Sequence, residues 1–343
     1  MHLNEPVLDP ECGPCYRGAA MRRYDDFSEL QADKNPCVVA VGSFDGLHRG
    51  HQLLFRQVRE DAARMHIEAG VLTFKPHPAR VLAPGYAPPL IMSPERKLRA
   101  LARLGLDFTL QQRFDSDFAA LTAEDFSSRV LAGAMDARLV VVGDDFTFGR
   151  DRAGHAEDLA RQGKRLGFEV QVTRRLAVEG MIVSSTRIRS FLLQGKVKGA
   201  GLLLGRPYTV DGEVVGGAGR GRQLGFPTVN IKADCDILPP RGVYACHFWP
   251  PDSAPARPAA TNIGVCPTFG PGQLSVEAHI LDGGVGDLTG RRVALGFLER
   301  LRPEQRFESP ADLQRQIGRD VIQAREVVMA HQATAAIDPL DGI

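Results

Sequence analysis

The sequence offers almost no net charge: 42 lysines and arginines face 41 aspartates and glutamates over 343 residues, a formal charge of +1. So balanced a chain has no summed field to collect nucleic acid or an anionic membrane, and any phosphate recognition has to be built locally. No uninterrupted apolar run reaches the roughly 20 residues of a spanning helix, and no signal-peptide pattern is present. Cysteine is sparse. The six residues (Cys12, Cys15, Cys37, Cys235, Cys246, Cys266) are scattered, which excludes a disulfide scaffold and makes a reducing cytoplasm the expected setting. The one close pair, "CGPC" at Cys12–Cys15, copies a dithiol spacing but precedes any periodic pattern, and zinc would need a second pair. Residues 1–20 are read as an N-terminal extension, with Met21 of "MRRYDDFSEL" a second candidate start.

What is present suggests an α/β chain of two domains. From Cys37 to about Gly195, short β-branched runs alternate with helical patterns, the signature of a parallel sheet with helices on both faces. "CVVAVG", "AGVLTF", "ARLVVVG" and "FEVQVT" are the strand candidates, each apolar enough for burial on both faces. "HQLLFRQVREDAARM" places Leu54, Val58, Ala62 and Met65 on one helical stripe. "SPERKLRALARLG" has Ser93 as cap, Pro94 first and Gly105 to end it, and "TAEDFSSRVLAG" repeats the device with Thr122, Asp125 and Gly133. Beyond Gly195, "YTVDGEVVGG", "GVYACHFW", "ATNIGV", "LSVEAHIL" and "RVALGFLERL" are strands without intervening helices, as in a small antiparallel β-barrel. A terminal helix follows, capped by Ser309, with Leu313, Ile317, Val321 and Val328 along one side. The expected domains are 21–198 and 199–332, with 333–343 a tail; no feature of the sequence specifies an oligomeric state.

"VGSFDGLHRGH" (Val41–His51) follows the first buried strand and opens the first helix, the place where parallel α/β folds bind ligands. Gly42 and Gly46 let the backbone approach a phosphate, Gly50 leaves room at the helix start, and His48 and His51 point donors at the same anion. Their expected task is to stabilise negative charge on a phosphate during transfer. A plain polar turn is the competing interpretation; a zinc site lacks the further ligands. "TFKPHP" (Thr73–Pro78), "VVGDDFTFG" (Val141–Gly149) and "VSSTRIR" (Val183–Arg189) are expected to converge on the same pocket, with Ser184, Ser185 and Thr186 as donors, Arg187 and Arg189 as cations, and Phe146 and Phe148 for a flat ring.

In the second half, "GGAGRGRQLGFPTVN" (Gly216–Asn230) lacks the Lys-Ser/Thr ending of a P-loop. Gly219 and Gly221 can still bring backbone donors to phosphates beside Arg220 and Arg222, while Thr228 and Asn230 are oxygen ligands of the kind Mg²⁺ prefers. A flexible hairpin is the alternative. Glu277 in "SVEAHIL" is either a surface charge or the base that takes a proton from an attacking hydroxyl.

"GSFDGLHRGH", "TFKPHP", "GDDFTFG" and "SSTRIR", in this order, resemble the adenylyltransferase module of bacterial bifunctional riboflavin kinase/FAD synthetases. "LGRPY", "GRGRQLGFPTVN", "GVYA", "NIGVCPTFG", "VEAHILD" and "LQRQIGRDVIQAR" resemble the riboflavin kinase module of the same family. The resemblance implies a Rossmann-like nucleotidyltransferase domain and a kinase barrel that convert riboflavin to FMN and FMN to FAD. ATP is the co-substrate, Mg²⁺ the metal, and no nucleic acid or membrane partner is involved. It assigns Gly42, Phe44, Asp45, Gly46, Gly50, His48 and His51, together with Ser185, Thr186, Arg187 and Arg189, to the adenylyl-transfer nucleotide, and Asp145, Phe146 and Phe148 to flavin. Gly219, Arg220, Gly221 and Arg222 are assigned to the kinase nucleotide, Thr228 and Asn230 to the metal, and Glu277 to the base acting on the riboflavin 5′-hydroxyl. Two departures are expected to reduce flavin or phosphate binding in the kinase half without abolishing its activity, since the metal ligands and base are kept. Cys266 stands where arginine is usual before "PTF", and "LDGGVGDLTG" (Leu281–Gly290) lacks the usual Phe and Tyr. The rivals are an adenylyltransferase with a reduced or inactive kinase, a nucleotidyltransferase for another phosphorylated metabolite, and a non-catalytic flavin or nucleotide sensor.

Overall fold

The computed structural model describes residues 21–30, 34–217, 219–251, 255–265, 274–283 and 285–334. Within them the chain divides into two compact units, residues 21–89 with 94–183 and residues 90–93 with 184–334.

In the first unit, β1 (Arg22–Tyr24), β2 (Cys37–Val41), β3 (Glu68–Lys75), β4 (Phe108–Arg113), β5 (Ala137–Gly143) and β8 (Glu169–Thr173) form one sheet in the order β1-β4-β3-β2-β5-β8. Every pairing in it is parallel. Two short antiparallel pairs, β6 (Thr147–Phe148) with β7 (Gly154–His155) and β9 (Ala177–Val178) with β10 (Met181–Ile182), lie outside this sheet. From β2 the chain winds one way through β3 and β4, then returns to place β5 on the other side of β2. This reversal puts a crevice at the carboxyl ends of β2 and β5.

All of β2 is buried, and Val39, Val41, Leu72, Leu110, Val140 and Val142 pack with Phe126, Val130 and Leu131 in the main core. The last strand departs from the sequence expectation: β8 has no buried residue, and Val172 is exposed because this strand pairs on one side only, with β5. The helix Arg49–Met65 buries Leu54, Phe55, Val58 and Ala62, but Met65, expected on that stripe, is exposed in the last turn before a left-handed cap at His66. β1 and β4 are strands that the apolar pattern does not mark. β4 buries Thr109, Gln111 and Gln112; the Gln112 side chain accepts from Phe27 N at 2.8 Å and donates to Asp26 at 2.9 Å.

Thr122 caps the turn Ala123–Asp125, its hydroxyl accepting from Asp125 N at 3.0 Å and donating to the Asp125 carboxylate at 2.7 Å. The chain then continues as a π-helical stretch, Phe126–Ala134, with Gly133 inside it rather than ending it. A Cβ on Gly133 would stand 2.8 Å from the Ser128 carbonyl, so the widened turn excludes a side chain there. Thr122→Ala is expected to lower stability by about 1 kcal/mol, the usual worth of such a cap, read as an earlier denaturant midpoint with unchanged slope.

The second unit begins with the helices Ser185–Leu193 and Val197–Leu204, which leave no extended linker in "LLQGKVKGAG". β11 (Tyr208–Val215), β12 (Val229–Asp234), β13 (Gly242–Trp249), β14 (Arg257–Val265), β15 (Leu274–Ile280) and β16 (Arg292–Pro303) close a barrel in the order β11-β12-β15-β14-β13-β16, antiparallel throughout. β12 follows the proline turn and was not marked by the apolar pattern. The terminal helix Pro310–Thr334 is capped by Ser309, whose hydroxyl accepts from Asp312 N at 3.1 Å. Ala324 and Val328 are buried, and Asp320 takes the Arg302 guanidinium in a two-pronged pair with both ends largely out of solvent. Burial pushes the Cys235 and Cys246 thiols up to about 12, and Cys37 rises for the same reason, which favours the neutral thiol over the nucleophilic thiolate in all three. Among the described residues no helix is long and apolar enough to cross a membrane.

Candidate active sites

The turn between β2 and the helix Arg49–Met65 is tightly wound. Phe44, Gly46 and Leu47 all have left-handed backbones, with φ of 49°, 83° and 43°. For Phe44 and Leu47 this conformation costs of order 1–3 kcal/mol each, and it persists because both side chains are anchored in the core, 4% and 0% exposed. Gly42 is required by the same turn: a Cβ there would meet the Phe44 ring at 2.9 Å. His48 is the helix cap, its Nδ1 accepting from His51 N at 3.3 Å. The neutral His48 ring therefore carries its proton on Nε2, a donor. The two imidazoles stack at 3.5 Å with planes 19° apart, and Phe44 meets His51 edge-on at 5.2 Å. Gly50 has no side chain to crowd the His48 ring, which would lie 3.3 Å from a Cβ at that position. The first turn of this 17-residue helix carries no acidic residue, and a helix N-terminus of this kind favours negative charge.

The segments after β3 and β5 leave the same carboxyl edge of the parallel sheet as the histidine turn. After β3, the His77 side chain accepts from Ala79 N and caps the short helix Pro78–Leu82. After β5, Asp144 and Asp145 are exposed, with Arg175 at 2.9 Å and 3.6 Å from their carboxylates. Phe146 and Phe148 stack at 5.5 Å with planes 13° apart, but they are not equivalent. Phe148 is buried in the core against Phe126, whereas Phe146 is half-buried and backed by Phe148. Ser184 caps the helix Ser185–Leu193 by accepting from Arg187 N at 3.3 Å; Thr186 and Arg187 are exposed and Arg189 is half-buried. This helix belongs to the second unit.

In the barrel, cross-strand register assembles the second site. Glu277 on β15 lies directly opposite Asn230 on β12 and Asn262 on β14. The alternate positions Ile231, Val276 and Ile263 are buried, so the Asn230–Glu277–Asn262 row occupies the other, half-buried face. The glycine-rich segment folds onto the start of this row. A Cβ on Gly217 would run into the Asn230 amide, and one on Gly221 would lie 3.2 Å from Thr228 Oγ1. Gly219 and Gly225 adopt φ of 68° and 85°. The segment is pinned where Gln314 donates to the Leu224 carbonyl at 3.3 Å and His279 Nδ1 to the Pro227 carbonyl at 2.8 Å. Asn262 and His279 are additions that periodicity alone does not reveal.

Among the described residues there is no cluster of three or more His, Cys, Asp or Glu able to hold a metal by themselves. The Thr228 hydroxyl and Asn230 amide oxygen are hard donors in the number that Mg²⁺ usually takes from a protein when nucleotide phosphates and water complete its shell, so these residues fit that ion. Cys266 lies outside the described residues. The Leu281–Gly290 loop is tied down by Arg257, which reaches the Asp282 carboxylate and the Gly283 carbonyl, and by Asp287, which accepts from Thr289 N at 2.9 Å.

Comparison with known proteins agrees with both halves. A family profile described as FAD synthetase matches residues 30–187, and one described as riboflavin kinase matches residues 204–328. The chain is 38% identical over 296 residues to a bifunctional riboflavin kinase/FMN adenylyltransferase of Escherichia coli K12, covering 86% of this chain and 94% of that protein. A protein of the same description from Pseudomonas fluorescens is 36% identical over 297 residues, with the same two coverages of 86% and 94%. Among solved structures, one described as a macrolide-efflux protein from Streptococcus pneumoniae superposes with a TM-score of 0.80 at 33% identity, over 90% of this chain and 99% of that one. That description concerns the other protein; what it shares with this chain is the fold across both units. With both profiles in order and these identities over most of its length, the chain belongs to the family of bifunctional riboflavin kinase/FMN adenylyltransferases.

Proposed function

We propose that the chain phosphorylates riboflavin to FMN with its barrel unit and then adenylylates FMN to FAD with its parallel-sheet unit, using ATP in each step. The observation that carries this reading is the presence in one chain of two unlike sites. One is a histidine turn that caps a helix N-terminus at the switch point of a parallel sheet; the other is a carboxylate in cross-strand register with two asparagines beside a glycine-rich turn.

In the kinase step, Glu277 takes the proton of the riboflavin 5′-hydroxyl as its oxygen bonds to the γ-phosphorus of ATP and the bond to the β-phosphate oxygen breaks, releasing ADP. Thr228 and Asn230 hold Mg²⁺, which when bound neutralises phosphate charge. Gly219, Gly221 and Arg222, with Arg220, serve the nucleotide phosphates. In the adenylyl-transfer step, an FMN phosphate oxygen bonds to the α-phosphorus of ATP and pyrophosphate leaves. With a second phosphate pKa near 6, this nucleophile is already anionic at neutral pH and needs no strong base. The work of the site is accordingly electrostatic: His48, His51 and the backbone of Gly42, Phe44, Asp45, Gly46 and Gly50 hold the triphosphate. Ser185, Thr186, Arg187 and Arg189, on a helix of the second unit, are assigned to ATP by their motif alone. Phe146 offers its face to the flavin ring, with Phe148 as its backing and Asp145 beside it. The domains we propose by function are an adenylyltransferase domain, 21–198, which runs past the first compact unit's end at Val183 into the helix Ser185–Leu193, and a kinase domain, 199–332, working in the cytoplasm on small molecules.

A chromatographic product assay tests the reading. With riboflavin, ATP and Mg²⁺ the protein is expected to give FMN and then FAD, and with FMN, ATP and Mg²⁺ to give FAD directly. FAD from FMN alone would place the departures at Cys266 and the Gly283–Thr289 loop in command of the kinase half. Flavin binding without any product would turn the assignment toward a sensor.

A further inference from the structure

Beneath the histidine turn lies a charged group that neither the motif series nor the mechanism above uses. Lys97, on the helix Pro94–Arg103, is 8% exposed, and its Nζ donates to the Ser43 carbonyl at 3.1 Å and to Thr73 Oγ1 at 2.9 Å. Thr73, fully buried on β3, itself donates to the Ser43 carbonyl at 3.2 Å. One ammonium thus clamps the residue just ahead of Phe44 to the neighbouring strand. The surroundings are more polar than packing alone needs. Gln111, opposite Thr73 in the β3–β4 register and therefore on the same face, is 1% exposed, with neither side-chain polar atom hydrogen-bonded among the described residues. Leaving a lysine charge in such a place costs far more than an apolar side chain of similar length, and the main core cluster of this sheet is built of uncharged residues, chiefly Val, Leu and Phe.

We propose that Lys97 is a positioning residue of the adenylyl-transfer site: its buried ammonium fixes the Ser43 turn against β3 and supplies a fixed positive charge beneath the phosphates held by the histidine turn. The inference rests on assigning that turn to the ATP phosphates. The charged groups that face Lys97 are Asp45, on the turn, and Lys75, at the end of β3, which is itself paired with Glu95 at 3.2 Å. Burial pushes the Lys97 ammonium down to about 8, with Asp45 opposing the fall and Lys75 adding to it. A neutral amine keeps two N–H donors, so deprotonation leaves both hydrogen bonds possible and removes the charge alone. A lysine charged below about pH 8 and neutral above it gives the site an alkaline limit that the substrate phosphates, titrating near 6, do not supply. The same shift sets a stability trend of opposite sense. The unfolded chain binds the extra proton between about 8 and the ordinary lysine value, so this group's contribution to stability rises with pH across that window.

The test measures FAD formation from FMN and ATP across pH 6.5 to 9.5, with FMN formation from riboflavin and the melting temperature followed in parallel. The wild-type adenylyl-transfer rate is expected to fall above about pH 8 while the protein stays folded. Lys97→Met is expected to lower that rate at pH 7 about 10- to 100-fold, the scale on which one fixed charge acts over several ångströms at an effective dielectric near 20. It is also expected to flatten the alkaline fall and to leave the kinase rate unchanged. A wild-type rate flat to pH 9 would overturn the inference, and that measurement decides even if Lys97→Met does not fold. So would a slowed Lys97→Met enzyme that keeps the same alkaline fall, which is what a purely structural lysine gives. His48→Asn separates the two levels. If it forms FAD normally, the histidine turn is not the site and the inference goes with it; if it is inactive while Lys97→Met is normal, only the role of Lys97 is lost.

Discussion

Glu277→Gln is expected to slow riboflavin phosphorylation by about 10²- to 10⁴-fold, the usual worth of a positioned general base, while FAD formation from added FMN continues at the wild-type rate. The asymmetry follows from the two nucleophiles. A primary alcohol holds its proton at neutral pH and must lose it as the new P–O bond forms, whereas a phosphate monoester is already ionised. Glutamine keeps the shape of the side chain and its capacity to accept a hydrogen bond, and loses only the ability to take the proton. The register confines the change: Glu277 stands between Asn230 and Asn262 on a half-buried barrel face, opposite in orientation to Val276 and Ala278, which are buried. The melting temperature is therefore expected to stay within a few degrees of the wild-type value. In the product assay the variant would yield FAD from FMN and almost none from riboflavin. FMN formation within twofold of wild type would remove Glu277 from the chemistry and leave it a surface carboxylate.

The parts of this protein legible from sequence are those in which chemistry is local. "VGSFDGLHRGH" announces itself because the strand, the glycine turn, the cap and the helix are consecutive, and the structure places all four within Cys37–Met65. Residues whose role depends on distant neighbours were less visible. β4 reads as polar because Gln111 and Gln112 sit in it, and Gln112 is accommodated largely through Asp26 and Phe27, some 85 residues away in sequence. Asn262 becomes a neighbour of Glu277 through the β14–β15 register, which no spacing rule supplies. Phe146 and Phe148 look alike in sequence, two residues apart, yet one is core and the other is available, a distinction made by the π-helical segment that carries Phe126. Lys97 did leave a trace. Positions 97, 100, 101 and 104 share one helical stripe, and a lysine in line with Ala100, Leu101 and Leu104 is a charge aimed at the core.

His48→Asn and His51→Ala are each expected to lower FAD formation from FMN by about 10²- to 10³-fold, the range seen when one donor to developing phosphate charge is removed, while riboflavin is still converted to FMN. Asparagine is chosen at position 48 because His48 has two duties that must be separated. Its Nδ1 caps the helix Arg49–Met65, and its Nε2 is the donor we propose for the phosphates. Asparagine is a good cap, its carbonyl oxygen replacing Nδ1 toward His51 N, but it has no group where Nε2 stood. Retained stability with lost adenylyl transfer would then be a statement about the imidazole and not about the helix. The two rings stack at 3.5 Å; if they act on one phosphate group as a unit, the double variant is expected to be little worse than either single one. Effects that multiply fully would mean that the histidines act on separate parts of the nucleotide. A His48→Asn enzyme that makes FAD at the wild-type rate would return the turn to a helix cap alone and require another group to meet the negative charge that passes to pyrophosphate.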